Sequence, residues 1–244
     1  MNIKRNHPSL GRTMVVRGFD CFDTPPIALE PLFIHEPLLV GVTAICEPFA
    51  GAGNLVTAMR GRGLIVHASD IQHRGCPDSI TLDFLKMSKR PSGCDVLLSN
   101  PPYAETMTMI EHAFQLGFRI VVFLLKANFA STEERYERLH PTGHLRRVHV
   151  LAERLQDMHD ANFTGKKSSQ PAEHSWFVFD RSYRGPAILN PVSIKNPHAT
   201  MPWQPLGRCA QCRQTYPRQR STSRFCSDTC RQRAHRVTLR RKLA

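Results

Sequence analysis

The chain has 244 residues, of which 41% are hydrophobic and 22% are charged, a balance that provides for a sizeable core and argues against global disorder. No run of about 18 apolar residues occurs, which argues against a membrane span, and no apolar signal-peptide core follows the first residues, so we expect a cytoplasmic protein. The formal net charge is +13, and residues 181–244 hold 14 Lys and Arg against one acid. This basic tail favours nucleic acid as a partner, and the alternative is a merely soluble or disordered basic tail.

Short apolar runs alternate with helix-like segments through the neutral front part of the chain. Apolar runs typical of strands occur at 42–46, 64–68, 95–99 and 120–125, and helical spacing occurs at 55–60 and 105–116. The run at 120–125 is continuously apolar, as in a strand buried on both faces. Strands separated by helices predict an α/β fold, with a mostly parallel sheet and helices on both sides. Residues 176–179 predict a later strand at or near the edge of that sheet.

Two polar or proline-rich stretches predict the domain organisation. Residues 161–173 are polar and indicate a surface loop. Five prolines fall between residues 185 and 207, a density typical of a semi-rigid linker. We therefore predict three parts: a catalytic domain over 1–185, a proline-rich linker over 186–206 and a small basic module over 207–244.

A glycine-rich segment at 47–53, Glu-Pro-Phe-Ala-Gly-Ala-Gly, lies between a predicted strand and a predicted helix. Glycines at the carboxyl edge of such a sheet let the backbone approach a ligand closely, although a simple tight turn has the same composition. Asp70 follows the next strand, where a carboxylate can accept the hydroxyls of a ribose or cap a helix. Asp83 with Phe84 is a candidate seat for an adenine ring, through one hydrogen bond and one apolar face.

The sequence Asn100-Pro101-Pro102-Tyr103, directly after the run at 95–99, carries the most specific chemistry. The two prolines stop the strand, hold the backbone extended and leave nearby carbonyls free as acceptors. The Asn100 side-chain oxygen and the Pro101 carbonyl could accept both N–H donors of an exocyclic base amine, while Tyr103 offers a face for stacking. The alternative is a rigid strand-to-helix turn with a core tyrosine.

In their order along the chain, these motifs resemble the class I S-adenosylmethionine-dependent methyltransferases. Within that class they are similar to the amino-methyltransferases of DNA found in phage and bacterial genomes. Two further segments add to the resemblance: 22–26 resembles the motif that closes over the methionine part of the cofactor, and 174–180 resembles a late strand. The resemblance covers roughly residues 20–185, and it implies a Rossmann-like sheet with helices on both faces.

The resemblance also implies roles for individual residues. Thr24 and the backbone of 50–53 would hold the methionine part of S-adenosylmethionine, Glu47 its amino end, Asp70 the ribose, and Asp83 with Phe84 the adenine. The full set of expected cofactor-binding residues is Thr24, Pro25, Glu47, Phe49, Ala50, Gly51, Gly53, Asp70, Asp83 and Phe84. The expected catalytic residues are Asn100, Pro101, Pro102 and Tyr103. We therefore predict a site-specific DNA methyltransferase that flips its base out of the duplex and methylates adenine N6.

The tail contains four cysteines spaced Cys209-x2-Cys212-x13-Cys226-x3-Cys230. Two such pairs can present four thiolates to one structural Zn²⁺, with His235 as a possible substitute ligand. Arginines surround the cysteines, and arginine pairs well with phosphate. Enzymes of this type usually carry a large target-recognition domain, for which this chain has little room. We expect the zinc module to replace it, mainly by holding phosphates of the DNA.

Two alternatives remain at the level of the sequence. The same Asn-Pro-Pro-Tyr motif serves methyltransferases of cytosine N4, of RNA bases and of a protein glutamine amide. The chain could also be a non-catalytic nucleic-acid-binding zinc protein on a degenerate methyltransferase fold, although the intact glycines, Asp70, Asn100 and Tyr103 argue against decay.

Overall fold

The apolar runs of the sequence become neighbouring strands of one mixed sheet in a computed structural model of the chain. The structure describes residues 23–155, 173–199, 206–212, 215–217, 224–225, 229–232 and 234. The chain divides into two compact units, Met1–Ala199 and Thr200–Ala244. Among the described residues, none forms a helix long and apolar enough to span a membrane.

The first unit contains eight strands and four α-helices within its described part. The strands are β1 (Ala44–Glu47), β2 (Ile65–Asp70), β3 (Ile80–Thr81), β4 (Val96–Ser99), β5 (Ile120–Lys126), β6 (Leu145–Leu151), β7 (His174–Asp180) and β8 (Ile188–Val192). The helices are α1 (Leu29–His35), α2 (Asn54–Gly61), α3 (Thr106–Gln115) and α4 (Glu133–Arg138). Short 3-10 turns lie at Pro26–Ala28, Pro37–Leu39, Phe84–Lys86, Tyr103–Glu105 and His140–Thr142.

The sheet has the order β3-β2-β1-β4-β5-β7-β6-β8. Strands β3, β2, β1, β4 and β5 are parallel, β7 is antiparallel to both β5 and β6, and β8 is parallel to β6. The first strand, β1, lies inside the sheet. The next strands, β2 and β3, extend the sheet on one side of β1, and β4 then pairs with β1 on its other side. This reversal makes a topological switch point between β1 and β4, where open α/β sheets bind their ligands.

Both faces of the sheet are covered, because successive residues of a strand point to opposite sides. In β5, Val122 and Leu124 join a core that also contains residues of α1 and α2. Val121, Phe123 and Leu125 join the core on the other face, with residues of α3. The predicted Rossmann-like α/β sheet with helices on both faces is thus confirmed. The burial of the run at 120–125 on both faces is confirmed as well.

The late strand differs from its predicted place. We expected residues 176–179 at or near an edge, but β7 lies inside the sheet, paired with β5 from Ile120↔Asp180 to Lys126↔His174. Every residue of β7 is buried. The indole nitrogen of Trp176 also donates to the Ala28 carbonyl at 2.8 Å. The apolar run Trp-Phe-Val-Phe has no polar alternation, and burial on both faces is the physical reason.

The predicted linker over 186–206 also needs correction. Residues Ile188–Val192 form β8 and pair with β6, so this part of the segment belongs to the sheet. Pro191 is tolerated there because β8 is the last strand in the sheet order, where a proline costs no ladder hydrogen bond on its open side.

Candidate active site at the switch point

Three polar side chains stand at the carboxyl ends of neighbouring parallel strands. Glu47 ends β1, Asp70 ends β2 and Ser99 ends β4. Since these strands are adjacent and parallel, the three residues share one edge of the sheet at the switch point. The predicted cofactor segment follows β1 and the predicted catalytic turn follows β4, so the fold brings both motifs to the same edge.

The glycine-rich loop is fastened to the end of β2. The Ala50 amide donates to the Ser69 carbonyl at 2.9 Å, and the Gly51 amide donates to Asp70 Oδ2 at 2.9 Å. Gly53 has a φ of +91°, and a Cβ at this position would lie 2.8 Å from the Cys76 sulfur and 3.1 Å from its Cα. Both backbone conformation and space therefore demand glycine at position 53.

Asp70 is 7% exposed and makes several contacts through its carboxylate. Besides the Gly51 amide, it accepts the Gln72 amide at 3.0 Å, and the Arg74 guanidinium lies 3.5 Å from Oδ1. A carboxylate offers about four acceptor directions, so these contacts leave room for a further donor. Asp70 thus anchors the loop, and it begins no helix in the described chain.

Glu47 is a buried carboxyl group with one oxygen in use. Oε1 accepts the Ser99 hydroxyl and the Phe49 amide, whereas Oε2 is buried and has no partner among the described residues. Burial raises the pKa of Glu47 to about 8, and the nearby negative charge of Asp70 also acts to raise it. A carboxyl group of this kind is poised to take a cationic or hydrogen-bond-donating ligand group on Oε2.

The turn after β4 presents a second buried acceptor. The Asn100 amide nitrogen donates to Thr24 Oγ1 at 2.9 Å, and Asn100 Oδ1 is buried with no partner in the described part of the chain. Thr106 closes the turn by donating its hydroxyl towards the Pro102 carbonyl at 3.3 Å and the Tyr103 carbonyl at 3.1 Å. Pro101 is buried and Pro102 is extended, so Asn100 is held by backbone as well as by its side chain.

Tyr103 is the aromatic member of this turn. Its hydroxyl lies 3.0 Å from His174 Nε2, at the start of β7, and the Lys126 ammonium lies 5.2 Å from its ring centroid. Lys126 ends β5, so the ends of β4 and β5 and the start of β7 meet around this ring.

The remaining predicted residues lie along the same edge with different environments. Asp83 caps the turn Phe84–Lys86 by accepting the Leu85 amide at 3.1 Å. The Phe84 ring is 2% exposed and packs edge-on against Phe49, at 5.4 Å between centroids. The Phe84 side chain is therefore mainly core, which leaves its backbone and the Asp83 carboxylate as the groups available to an adenine. Pro25 caps the turn Pro26–Ala28 next to Thr24.

Two contacts of the site were not anticipated from the sequence. Ser99 donates to Glu47, and His174 holds the hydroxyl of Tyr103. The position of Ser99 directly before Asn100 was a usable signal, because a strand-end residue next to a motif faces the same edge. His174 had no such signal, since its place beside Tyr103 depends on β7 entering the sheet next to β5.

The second unit brings three of the four predicted metal ligands together. Its described strands are β9 (Leu206–Arg208) and β10 (Thr215–Pro217), which pair antiparallel. The ligand atoms of Cys209, Cys212 and Cys230 lie within 4.8 Å of one another. Cys226, and His235 as the possible substitute, lie outside the described residues.

Comparison with known proteins gives similarity of fold. No protein-family model matches the chain, and no curated protein matches it. Similar solved structures include a type I restriction-modification methyltransferase subunit from Streptococcus thermophilus, with a TM-score of 0.48, 12% identity and coverage of 70% of this chain and 47% of that one. The chain therefore spans about half the length of that subunit.

Two other similar structures match the chain at comparable levels. A 23S rRNA methyltransferase has a TM-score of 0.45 and 14% identity, over 64% of this chain and 68% of that one. The magnesium protoporphyrin IX methyltransferase from Synechocystis, solved with bound S-adenosylmethionine, has a TM-score of 0.43 and 14% identity, over 64% and 78% of the two chains.

Proposed function

We propose that this protein is an S-adenosylmethionine-dependent methyltransferase that methylates an exocyclic amino group of a nucleic-acid base, with adenine N6 in DNA as the substrate. The observation that carries the proposal is Asn100 Oδ1. It is a buried acceptor without a described partner, and it stands at the switch point beside a glycine-rich loop. A buried acceptor left unpaired costs about 1–3 kcal/mol, so its retention at a ligand-binding edge supports a role in binding.

The residues of this edge fit the proposed cofactor. Glu47 Oε2 suits the amino end of the methionine part, and Asp70 has an acceptor direction left for a ribose hydroxyl. In this proposal, Asp83 serves the adenine end. When bound, S-adenosylmethionine supplies a methyl group on a positively charged sulfur, which is a strong electrophile.

The residues of the catalytic turn would hold the target nitrogen. Asn100 Oδ1 accepts one N–H of the base amine and the Pro101 carbonyl accepts the other, which localises the nitrogen lone pair for attack. Thr24 fixes the Asn100 amide so that its oxygen, not its nitrogen, faces the amine. The amine would lose one proton to solvent as the methyl group leaves the sulfur for the nitrogen, and Asn100 would keep the hydrogen bond to the remaining N–H. Positioning and preorganised acceptors are the main contributions of these residues.

The Cys209, Cys212 and Cys230 cluster supports a structural zinc site. Four thiolates at about 2.3 Å from one Zn²⁺ are separated from one another by about 3.8 Å, and the three described sulfurs lie within 4.8 Å. Cys226 is the fourth ligand in this proposal. The basic charge of residues 181–244 suits the phosphates of DNA, so the module would add affinity without reading a long sequence.

The test is nucleoside analysis after methyl transfer. Purified protein is incubated with isotopically labelled S-adenosylmethionine and either DNA or RNA, and the nucleosides are separated by mass spectrometry. Label in N6-methyldeoxyadenosine is the expected result. Label in N4-methyldeoxycytidine or in an RNA nucleoside would assign a different substrate. If the wild-type protein incorporates no more label than Asn100→Ala does, the proposal is contradicted.

A further inference from the structure

A cleft opens beside the catalytic turn, at the carboxyl end of β5 and the start of α4. It encloses a volume of about 480 Å³, which includes open solvent, and its wall includes Tyr103, Lys126, Asn128, Phe129, Thr132 and Arg135. Tyr103 belongs to both the catalytic turn and the cleft. Whatever occupies the cleft therefore lies next to the group proposed to stack on the target base.

The wall of the cleft pairs each aromatic ring with a cation. The Lys126 ammonium lies 5.2 Å from the Tyr103 centroid, and the Arg135 guanidinium carbon lies 4.9 Å from the Phe129 centroid. No acidic residue lines the cleft. Among the described residues, Lys126 has no carboxylate within ion-pair distance, and Arg135 contacts Glu134. The cleft is therefore cationic and aromatic, which suits a ligand with both an anion and a ring.

Arg135 provides a second, independent sign of a ligand. Its side chain is 15% exposed, and its Nε is buried without a hydrogen-bond partner in the described chain. Glu134 occupies Nη1, so Nε remains a donor in need of an acceptor. A phosphate oxygen is the acceptor that arginine binds most readily in nucleic-acid recognition.

We propose that this cleft binds the nucleotide adjacent to the flipped target, with its phosphate at Lys126 and Arg135 and its base against Phe129. The inference rests on the proposed function, since the neighbouring nucleotide matters only if the target base reaches Tyr103. A stacking platform with a cation beside it is how proteins bind single strands without reading their sequence. The cleft would thus hold the strand locally and favour a base that has already left the duplex.

The experiment measures binding of a short single-stranded oligodeoxynucleotide against salt concentration, with the full chain and without cofactor. Lys126→Gln removes the exposed cation, and Lys89→Gln is the matched control, an exposed lysine outside the cleft. Lys126→Gln should weaken binding and reduce the log–log salt slope by about 0.7, the value for one phosphate on a single strand. Lys89→Gln should leave the slope unchanged.

A second pair of variants separates stacking from charge. Phe129→Leu should weaken binding by roughly fivefold to a hundredfold with an unchanged slope, as expected for a lost stacking contact. Arg135→Gln should lower the slope as Lys126→Gln does, and its thermal melt shows whether it is folded. If Arg135→Gln does not fold, Lys126→Gln alone decides. Equal slopes for Lys126→Gln and Lys89→Gln would overturn the proposal.

The two proposals fail in different ways. A wild-type protein that shows the cleft-dependent slope but transfers no methyl group would refute the methyltransferase and leave the cleft as a single-strand-binding site without a flipped target. Normal methyl transfer, together with cleft variants that bind the oligonucleotide as Lys89→Gln does, would refute the proposed nucleotide site in the cleft. The proposed methyltransferase activity would then still hold.

Discussion

The side chain of Asn100 donates from Nδ2 to Thr24 Oγ1 across 2.9 Å, and its other end, Oδ1, is buried without a partner among the described residues. Thr24 is 4% exposed, so water does not compete for its hydroxyl. The two residues lie far apart in sequence, and the fold joins the segment before α1 to the end of β4. The oxygen of Asn100 is therefore presented as an acceptor before any substrate arrives.

Replacing Asn100 by alanine should reduce methyl transfer by at least about a hundredfold, which is the scale for removing a preorganised polar group. Thr24→Val should have a smaller effect in the same direction, because the amide oxygen survives but is free to turn. Cofactor affinity of Asn100→Ala, measured by calorimetry, serves as the control and should stay near wild type. Near-normal transfer by Asn100→Ala would disprove the assigned role.

Asp70→Ala should weaken S-adenosylmethionine binding by about 1.5–3 kcal/mol, the range for hydrogen bonds that involve a charged group. The carboxylate anchors Gly51 and is the proposed ribose ligand, so both functions are lost together. Asp70→Asn keeps an acceptor for the Gly51 amide and should recover part of the affinity. Unchanged affinity in both variants, by isothermal titration, would limit Asp70 to a role in the turn.

Glu47→Gln should stabilise the ligand-free protein and weaken the cofactor complex. The pKa of Glu47 is raised from 4.5 to about 8, so the folded state holds a proton that the unfolded state releases in this window. The free energy of unfolding of the wild-type protein must then fall as pH rises from 4.5 to about 8. Glu47→Gln has no proton to lose at this position, so its stability should not show this decrease. We expect a gain of about 1–3 kcal/mol near the upper end of the window, measured by urea unfolding.

The same carboxyl group should release a proton when the cofactor's amino group binds. Calorimetric titrations of cofactor binding near neutral pH, in buffers of different ionisation enthalpy, measure this release. Glu47→Gln is the control, and it should not show the proton release that comes from Glu47. Equal proton release in the two proteins would show that Glu47 does not bind the amino end of the cofactor.

Gly53→Ala should destabilise the fold by more than Gly63→Ala does. Both glycines have positive φ, of +91° and +81°, but a Cβ at Gly63 meets open space and one at Gly53 meets Cys76. The difference between the two variants therefore isolates the clash, which we expect to cost about 1–3 kcal/mol. Gly53→Ala alone should also lose cofactor affinity. Identical unfolding curves for the two variants would contradict the crowding described here.

Much of this site follows from local sequence, and the rest depends on topology. The segments around Glu47, Asp70 and Asn100 were predictable because each follows an apolar run, and the ends of parallel strands meet at one edge. The strand β6 was not anticipated, since its Arg147 and His149 interrupt the apolar pattern. Those two side chains are satisfied by Glu36, which accepts Arg147 Nη1 at 2.9 Å and lies 2.9 Å from His149 Nε2. A partner so distant in sequence leaves no local signal.

The zinc proposal predicts one tightly held zinc ion per chain in a metal analysis of the purified protein. Cys230→Ser should lower zinc content and destabilise the second unit, because so small a module has little core of its own. Cys94→Ser is the control and should retain the metal. Burial raises the pKa of the Cys94 thiol to about 11, which makes it a poor source of thiolate. A wild-type chain without zinc would refute the site.

The position of β7 has a consequence for how the molecule is made. Strands β5 and β6 are synthesised first, yet they do not pair with each other, because β7 lies between them. The centre of the sheet can therefore form only after Asp180 has left the ribosome. Until then, β5 and β6 each have one edge without its partner strand. Contacts so distant in sequence slow folding and expose strand edges to wrong pairing. His174 belongs to β7, so the turn at Asn100–Tyr103 gains its contact with His174 only after β7 has joined the sheet.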